Sequence, residues 1–557
     1  MADNLGRIFR AALELVVGAL ALLWDWLTGK PKDERPEPHE HELQYFLPGQ
    51  VVYYVKHNER LTEADINKIL KHSEAEWFSA REQRITISLR RSFPFTGFTL
   101  LFVDVQNAKD LVGLIPFLNE MFSKSSSFPG LTLEISPNWV LGSAGHGAPH
   151  PPSPGSWPLS VPDPQRDSWK YSLIEDDPKK TRAQNTLPLP FFNEPASKIH
   201  VAILDTAPDE LDLVEAYERW HDSHPLLDRL LGNNGKLQVH RGIITEIELM
   251  DFSPVGHRYL MGDHGLFVAG IVNTIAPDAT LHLIRVFTPY GSASLETIAQ
   301  GLDRILQALR HPNDPVLNPH GIKRPLIVNC SFGLSLDAGP DFPVSLRGLN
   351  TSLRDMFAEL TSQDGVVVVA AAGNDSQRNN RQSTRFPAAF GNVISVGALP
   401  NRFPPTNSQF QAASYSNRAH YMTVGGEPGR GEGVLGVYTS ELPVYAEGCL
   451  SFLWRKLTGR SLGPWAGEGH LPPIPPPLTL DRIRYKLNKN GWAEWAGTSF
   501  ATSKITGVLA AQWAEPAFRG TALNFASAQA ELDNHLQRLP TSDGETVIYV
   551  EQRTSPP

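Results

Sequence analysis

Cysteine is nearly absent from the chain. Two in 557 residues, Cys330 and Cys449, cannot build a disulfide framework, and no CxxC or Cys/His cluster offers a zinc site. Long apolar runs are also missing. The most apolar core, Leu15 to Trp24, is bracketed by Glu14 and Asp25, whereas a comfortable bilayer span needs about 20 residues. Charge of one sign does not dominate: the net charge is −9, with no dense basic patch, so nucleic acid is not an expected partner. What is present is ordinary globular material. Hydrophobic residues make up 41% and charged residues 20%, and the length is enough for two or three domains with a large core.

Residues 1–29 read as an amphipathic helix with a very wide apolar face. Arg7, Arg10, Glu14, Gly18, Ala21 and Asp25 share one arc of about 80° at about 100° per residue. Residues 8–27 suit a short membrane anchor or an interfacial helix, a helix that packs on a partner or a second copy, or one docked on this protein's own body. A cleaved signal peptide fits less well, because the acidic interruptions and the missing small-x-small site oppose it. A cytoplasmic or membrane-associated location is therefore favoured over secretion. The charged, proline-punctuated residues 30–48 read as a linker.

Residues 49–141 follow the order strand, helix, strand, strand, helix, strand. Val51 to Val55 is a strand, and Thr62 with Asp65 opens a helix. Ile85, Ile87 and Leu89 alternate with polar residues, and Phe98 to Val105 is a further strand. Lys109 to Phe122 is helical, with a kink or break expected at Pro116. Leu131 to Ile135 closes a ferredoxin-like α+β arrangement. Residues 142–195 form a connector whose first part, 142–165, is rich in Pro, Gly, Ser and His and is expected to be exposed and protease-sensitive.

Beyond residue 196, several apolar strands end on polar residues. Lys198 to Leu204 runs into Asp205-Thr206, and sites in α/β sheets are built at such carboxyl ends. Asp263-His264-Gly265 opens a helical run, Pro325 to Asn329 leads to Ser331-Phe332-Gly333, and Val366 to Val369 leads to Ala371-Ala372-Gly373-Asn374. Gly497-Thr498-Ser499 begins a helix with Ile505, Val508, Leu509 and Trp513 at helical spacing. A serine there has its backbone N–H unpaired within the helix, and the helix dipole favours negative charge developing beside it. Taken singly, each of these residues also reads as an ordinary turn or cap residue.

Together, ILDT at Asp205, HGLFVAG at His264, NCSFG at Ser331, AAGN at Asn374 and GTSFAT at Ser499 resemble the ordered blocks of the subtilisin-like serine proteases. The resemblance covers about residues 196–515. It implies an α/β core with a mostly parallel central sheet flanked by helices, extending over residues 196–540 and followed by a tail at 541–557. It implies that Ser499 attacks a scissile carbonyl, that His264 carries the proton, that Asp205 orients His264, and that Asn374 with the Ser499 N–H binds the oxyanion. Ser331, Phe332 and Gly333 would pair with an extended protein or peptide substrate, while Ala371, Ala372 and Gly373 line its primary pocket. No cofactor is needed for this chemistry. Structural calcium occurs in the family, but no compact acidic loop locates a site here.

The chain departs from the family at Ala207, Leu266 and Ser503, where Gly, Thr and Pro are usual. A helix over Leu211 to Leu231 lengthens the interval before His264. An insertion at about 441–490 carries Cys449, Trp454 and the PPIPPP run, Pro472 to Pro477. Subtilases are often preceded by a ferredoxin-like propeptide, so residues 49–141 imply a zymogen with an intramolecular inhibitor, cleaved between about Asn138 and Trp157. Phe386-Pro387 resembles the family's aromatic-Pro pair, which implies that Arg385, the residue before it, sits at the base of the primary pocket. Its guanidinium would favour an acidic P1 residue, the one N-terminal to the scissile bond, unless Asp375 neutralises it. Two alternatives remain: a catalytically incompetent binding or scaffold protein, and a protease whose N-terminal helix acts on membranes or oligomerises.

Overall fold

The computed structural model describes residues 46–108, 111–125, 127–142, 159–160, 171–174, 186–188, 199–242, 261–289, 291–333, 347–376, 380–401, 410–427, 433–445, 483–515, 520–534, 539–540, 543–548 and 550–552. The chain divides into two units, Met1–Gln44 and Tyr45–Pro557. The apolar helix expected at residues 8–27 and residues 30–45 of the linker lie outside the described residues, whereas residues 46–48, expected to end the linker, already belong to the first strand. Among the described residues, no helix is long and apolar enough to cross a membrane.

The N-terminal part of the second unit runs β1 (Phe46–Lys56), α1 (Glu63–Arg81), β2 (Thr86–Phe95), β3 (Phe98–Gln106), α2 (Leu111–Lys124) and β4 (Thr132–Gly142). Its strands form an antiparallel sheet in the order β4-β1-β3-β2. Thr62 and Asp65 cap α1 reciprocally: Thr62 Oγ1 accepts from the Asp65 N–H at 3.2 Å, and Asp65 Oδ2 accepts from the Thr62 N–H at 2.9 Å. Two expectations fail here. Pro116 neither ends nor splits α2. Leu114, Ile115 and Leu118 are fully buried, and burying each stabilises by about 1.5–3 kcal/mol, which outweighs the roughly 3 kcal/mol that an interior proline costs. Leu89 is 41% exposed although it pairs with Val103 in the register of buried Ile87, and the register shift that follows it turns Phe93 and Phe95 to the opposite face of the sheet.

The connector supplies three short strands, β5 (Leu159–Ser160), β6 (Tyr171–Ile174) and β7 (Thr186–Pro188). The core follows with β8 (His200–Asp205), α3 (Glu210–Trp220), α4 (Pro225–Leu231), β9 (Leu237–His240), α5 (His264–Ile275), β10 (Thr280–Arg285), β11 (Ser292–Ser294) and α6 (Leu295–Arg310). Next come β12 (Leu326–Cys330), α7 (Arg347–Thr361), β13 (Val366–Ala371), β14 (Ile394–Leu399), β15 (Tyr421–Val424), β16 (Val434–Val437) and β17 (Leu442–Tyr445). The chain closes with β18 (Ile483–Lys486), β19 (Trp492–Trp495), α8 (Thr498–Ala514), α9 (Phe525–Asn534), β20 (Leu539–Pro540), β21 (Thr546–Val547) and β22 (Val550–Gln552).

Nine strands form the main sheet in the order β20-β21-β15-β14-β13-β12-β8-β10-β9, parallel except for β20. Helices cover both faces, so β8, β12, β13 and β14 are buried at every residue. The single helix expected at 211–231 is instead two. Pro225 takes the first position of α4, where a missing N–H costs nothing, and the His224 side chain accepts from the Leu227 N–H. The connector and tail also contribute strands: β5 pairs with β19, β6 pairs with β7 and β22, and β21 joins the main sheet. The insertion is described only at its ends, where β17 pairs with β18. Cys449, Trp454 and the proline run lie outside the described residues.

Candidate active site

Asp205 ends β8 in the middle of the sheet, and His264 begins α5. His264 Nδ1 lies 2.8 Å from Asp205 Oδ1 and 3.0 Å from Oδ2, with both side chains buried. Thr206 ties the two elements together. Its hydroxyl donates to Met261 O at 2.8 Å and accepts from the Gly265 N–H at 3.1 Å. Glycine is required beside the histidine, because a Cβ on Gly265 would stand 2.1 Å from Thr206 O and 2.9 Å from Asp205 Cβ. From the far side, Asp263 Oδ2 accepts from Thr439 Oγ1 at 2.9 Å and from the Ser440 N–H at 2.6 Å. Burial pushes the Asp263 carboxyl above the usual range, while these donors pull it back. The imidazole of His264 rests against Trp495 and Phe500, with ring centroids 5.3 and 5.5 Å away.

Ser499 is the second residue of α8, so its N–H has no acceptor within the helix. Its hydroxyl donates to Ser331 O at 3.2 Å; no hydrogen bond joins it to His264 in this structure. Catalytic hydrogen bonds of this kind often form only with substrate in place. Asn374 stands just past β13. Its Oδ1 accepts from the Thr498 N–H at 3.0 Å and from Thr498 Oγ1 at 2.8 Å, which holds the amide with its N–H₂ end free for another acceptor. Ser503, at the position where the family usually has proline, donates to Ser499 O at 2.7 Å. Ser331 Oγ donates to Asn329 Oδ1 at 2.8 Å, and Phe332 is a core side chain packed on Phe287.

Segment 331–333, expected to pair with substrate, and segment 371–373, expected to line the primary pocket, are bridged by Arg385. Its Nη1 donates to Gly333 O at 3.4 Å, and its backbone N–H donates to Ala372 O at 2.9 Å. Its Nε donates to Asp375 Oδ2. The guanidinium is therefore not free in the way an acidic P1 preference supposes: the partly buried Asp375 carboxylate already pairs with it. The structure thus brings Asp205 to His264, Asn374 to the Ser499 segment, and Arg385 between the two walls. Sequence reasoning gave no role to Thr206, Asp263, Thr498 or Trp495. Thr206, Asp263 and Thr498 adjoin motif residues in sequence and Trp495 precedes Ser499 by four positions, a nearness that could have flagged them, although Thr498 acts on Asn374 and Trp495 on His264. Among the described residues, no group of three or more His, Cys, Asp or Glu is arranged to hold a metal ion.

The subtilase family matches the chain over residues 197–526. The minor extracellular protease Epr of Bacillus subtilis (strain 168) is 28% identical over 230 residues, covering 37% of this chain and 30% of that protein. Subtilisin DY of Bacillus licheniformis is 28% identical over 173 residues, covering 29% of this chain and 48% of that one. The chain therefore spans less than half the length of each. A mutant of the epidermin leader peptide processing serine protease of Staphylococcus aureus aligns with a TM-score of 0.47 at 14% identity, covering 90% of this chain and 97% of that one.

Proposed function

The chain belongs to the subtilase family, and from that premise we propose that it is a serine endopeptidase, made as a zymogen, that cleaves proteins or peptides through Asp205, His264 and Ser499. The observation that carries the reading is the buried Asp205–His264 pair, held by Thr206 on the sheet that also presents Asn374 toward the start of α8. In the proposed reaction His264 Nε2 takes the hydroxyl proton as Ser499 Oγ bonds to the scissile carbonyl carbon. The carbonyl oxygen becomes an oxyanion facing the Asn374 N–H₂ and the Ser499 N–H. His264 then gives its proton to the leaving amine as the C–N bond breaks. Water repeats the sequence to release the acyl group and restore Ser499. Asp205 keeps Nδ1 protonated and stabilises the imidazolium.

Inhibition by the N-terminal domain draws support from the pairing of Val140–Gly142 at the end of β4 with Ser294–Ser292 of β11, an added strand that leads into the core. Mass spectrometry of the purified chain beside Ser499→Ala, with fluorophosphonate labelling of both, tests the proposal. The expected result is a labelled wild type that shortens to a discrete product beyond Gly142, and a mutant that stays intact and unlabelled. A wild type that neither labels nor shortens would favour the binding or scaffold reading instead.

A further inference from the structure

We infer that the Arg385–Asp375 pair fills the pocket beside Ser499, so that the residue N-terminal to the scissile bond must carry a short side chain: glycine, alanine or serine. The inference rests on the protease reading and names its substrate class. On the protease reading, a substrate with its carbonyl carbon at Ser499 Oγ and its oxygen at Asn374 would place the preceding side chain between the 331–333 and 371–373 segments. The stem of Arg385 already occupies that space. A Cβ built on Gly333 would lie 2.9 Å from Arg385 Cβ and 3.1 Å from Cδ. One built on Gly373 would lie 2.8 Å from Cδ and 3.0 Å from Cγ. The two walls therefore close on the same side chain, and even a methyl group on either wall would clash.

The plug is held in place. Asp375 Oδ2 accepts from Arg385 Nε and from Asn417 Nδ2, the latter at 3.0 Å. Asn417 is itself fully buried: its Oδ1 accepts from the Asp375 N–H at 3.0 Å, and its Nδ2 also donates to Ser383 O at 3.1 Å. A large side chain would have to expel a paired arginine. An acidic one would have to take the guanidinium from a carboxylate that Asn417 holds in position. One observation from the sequence agrees. The residues that follow β4 are Ser143, Ala144 and Gly145, so a chain that cuts itself just beyond Gly142 presents side chains of the required size.

The test uses the full chain after incubation to constant mass. A small alkyl fluorophosphonate, which has no P1 side chain, reports on the nucleophile. Peptidyl diphenyl phosphonates with Ala, Glu or Phe at P1 report on the pocket. The expected result is labelling by the alkyl probe, with the Ala probe reacting on the order of 100-fold faster than Phe or Glu, near the upper range of size discrimination by a closed pocket. Arg385→Gly should narrow the Ala-to-Phe ratio at least tenfold. The wild-type ratios stand even if that variant fails to fold. Labelling by the alkyl probe with Phe equal to Ala overturns the filled pocket, and a Glu preference does so by showing that the guanidinium turns to substrate. Labelling by no probe overturns the protease reading and this inference with it.

Discussion

At the scale of single residues, the division of labour at Asn374 makes a sharp prediction. Its carbonyl end is taken by two donors from Thr498, so its orientation does not depend on substrate. A preorganised donor acts mainly where charge develops, in the transition state. Asn374→Ala should therefore lower kcat by about 10²–10³-fold and leave KM within a few-fold, measured on a peptide with alanine before the scissile bond. A rise in KM at unchanged kcat would place Asn374 in ground-state binding instead. Thr498 adds a related point. Its hydroxyl is one of the two anchors, and its backbone N–H would survive substitution, so Thr498→Val should cost less than Asn374→Ala.

At the scale of elements, three strands place a row of imidazoles on one face of the main sheet. His200 Nδ1 lies 2.9 Å from His282 Nε2, and His282 Nδ1 lies 3.1 Å from His240 Nε2. The His320 ring packs 3.9 Å from that of His240. Burial, with the neighbouring imidazoles adding to it, lowers His282 to about 3 and His240 to about 2. An unfolded imidazole takes up its proton near 6.5, so between these values the unfolded chain binds more protons than the folded one. The stabilisation is complete above pH 6.5 and is lost as the pH falls toward 3. The melting temperature should hold level above pH 7 and drop steadily below 6.5. His282→Phe should flatten that slope, and an unchanged slope would refute the assignment. The same row shows what sequence could and could not convey. The strands that carry Asp205 and Asn329 and the one that leads to Asn374 were legible because buried parallel strands read as apolar runs ending on polar residues. The adjacency of His200, His240 and His282 was not, because strand order and register are properties of the sheet and leave no mark on local spacing. Pro116 and the 211–231 helix failed for related reasons: tertiary burial rescued α2, whereas Pro225 and the His224 cap divided a continuous helical pattern.

At the scale of the whole molecule, the N-terminal sheet and one face of the core share a single hydrophobic cluster, in which Tyr54, Phe98 and Leu101 join Ile298, Leu353 and Phe357. Apolar contact alone would let the sheet slide over α6 and α7, so polar pairs must set its position. Tyr54 donates to Asp355 Oδ2 at 2.5 Å, and the Thr96 N–H donates to Glu359 at 2.7 Å. Glu296, in the first turn of α6, is 3% exposed and lies 3.1 Å from Arg91 Nε and 3.5 Å from Arg90 Nε. Burial raises its carboxyl above the usual range, while the two arginines pull it back. Removing these arginines would leave a buried carboxylate without its counter-charges, whereas removing the carboxylate leaves arginines that can turn to water. The double variant Arg90→Ala/Arg91→Ala should therefore loosen the docked domain more than Glu296→Gln does. Hydrogen exchange on the full chain reads this directly, with exchange at residues 140–142 and 292–297 accelerating while β13 and β14 stay protected. Because β4 reaches β11 from this same sheet, the zymogen proposal adds that the loosened chain should process itself sooner than wild type. Equal exchange in the two variants would mean that the shared apolar cluster alone holds the domain in place.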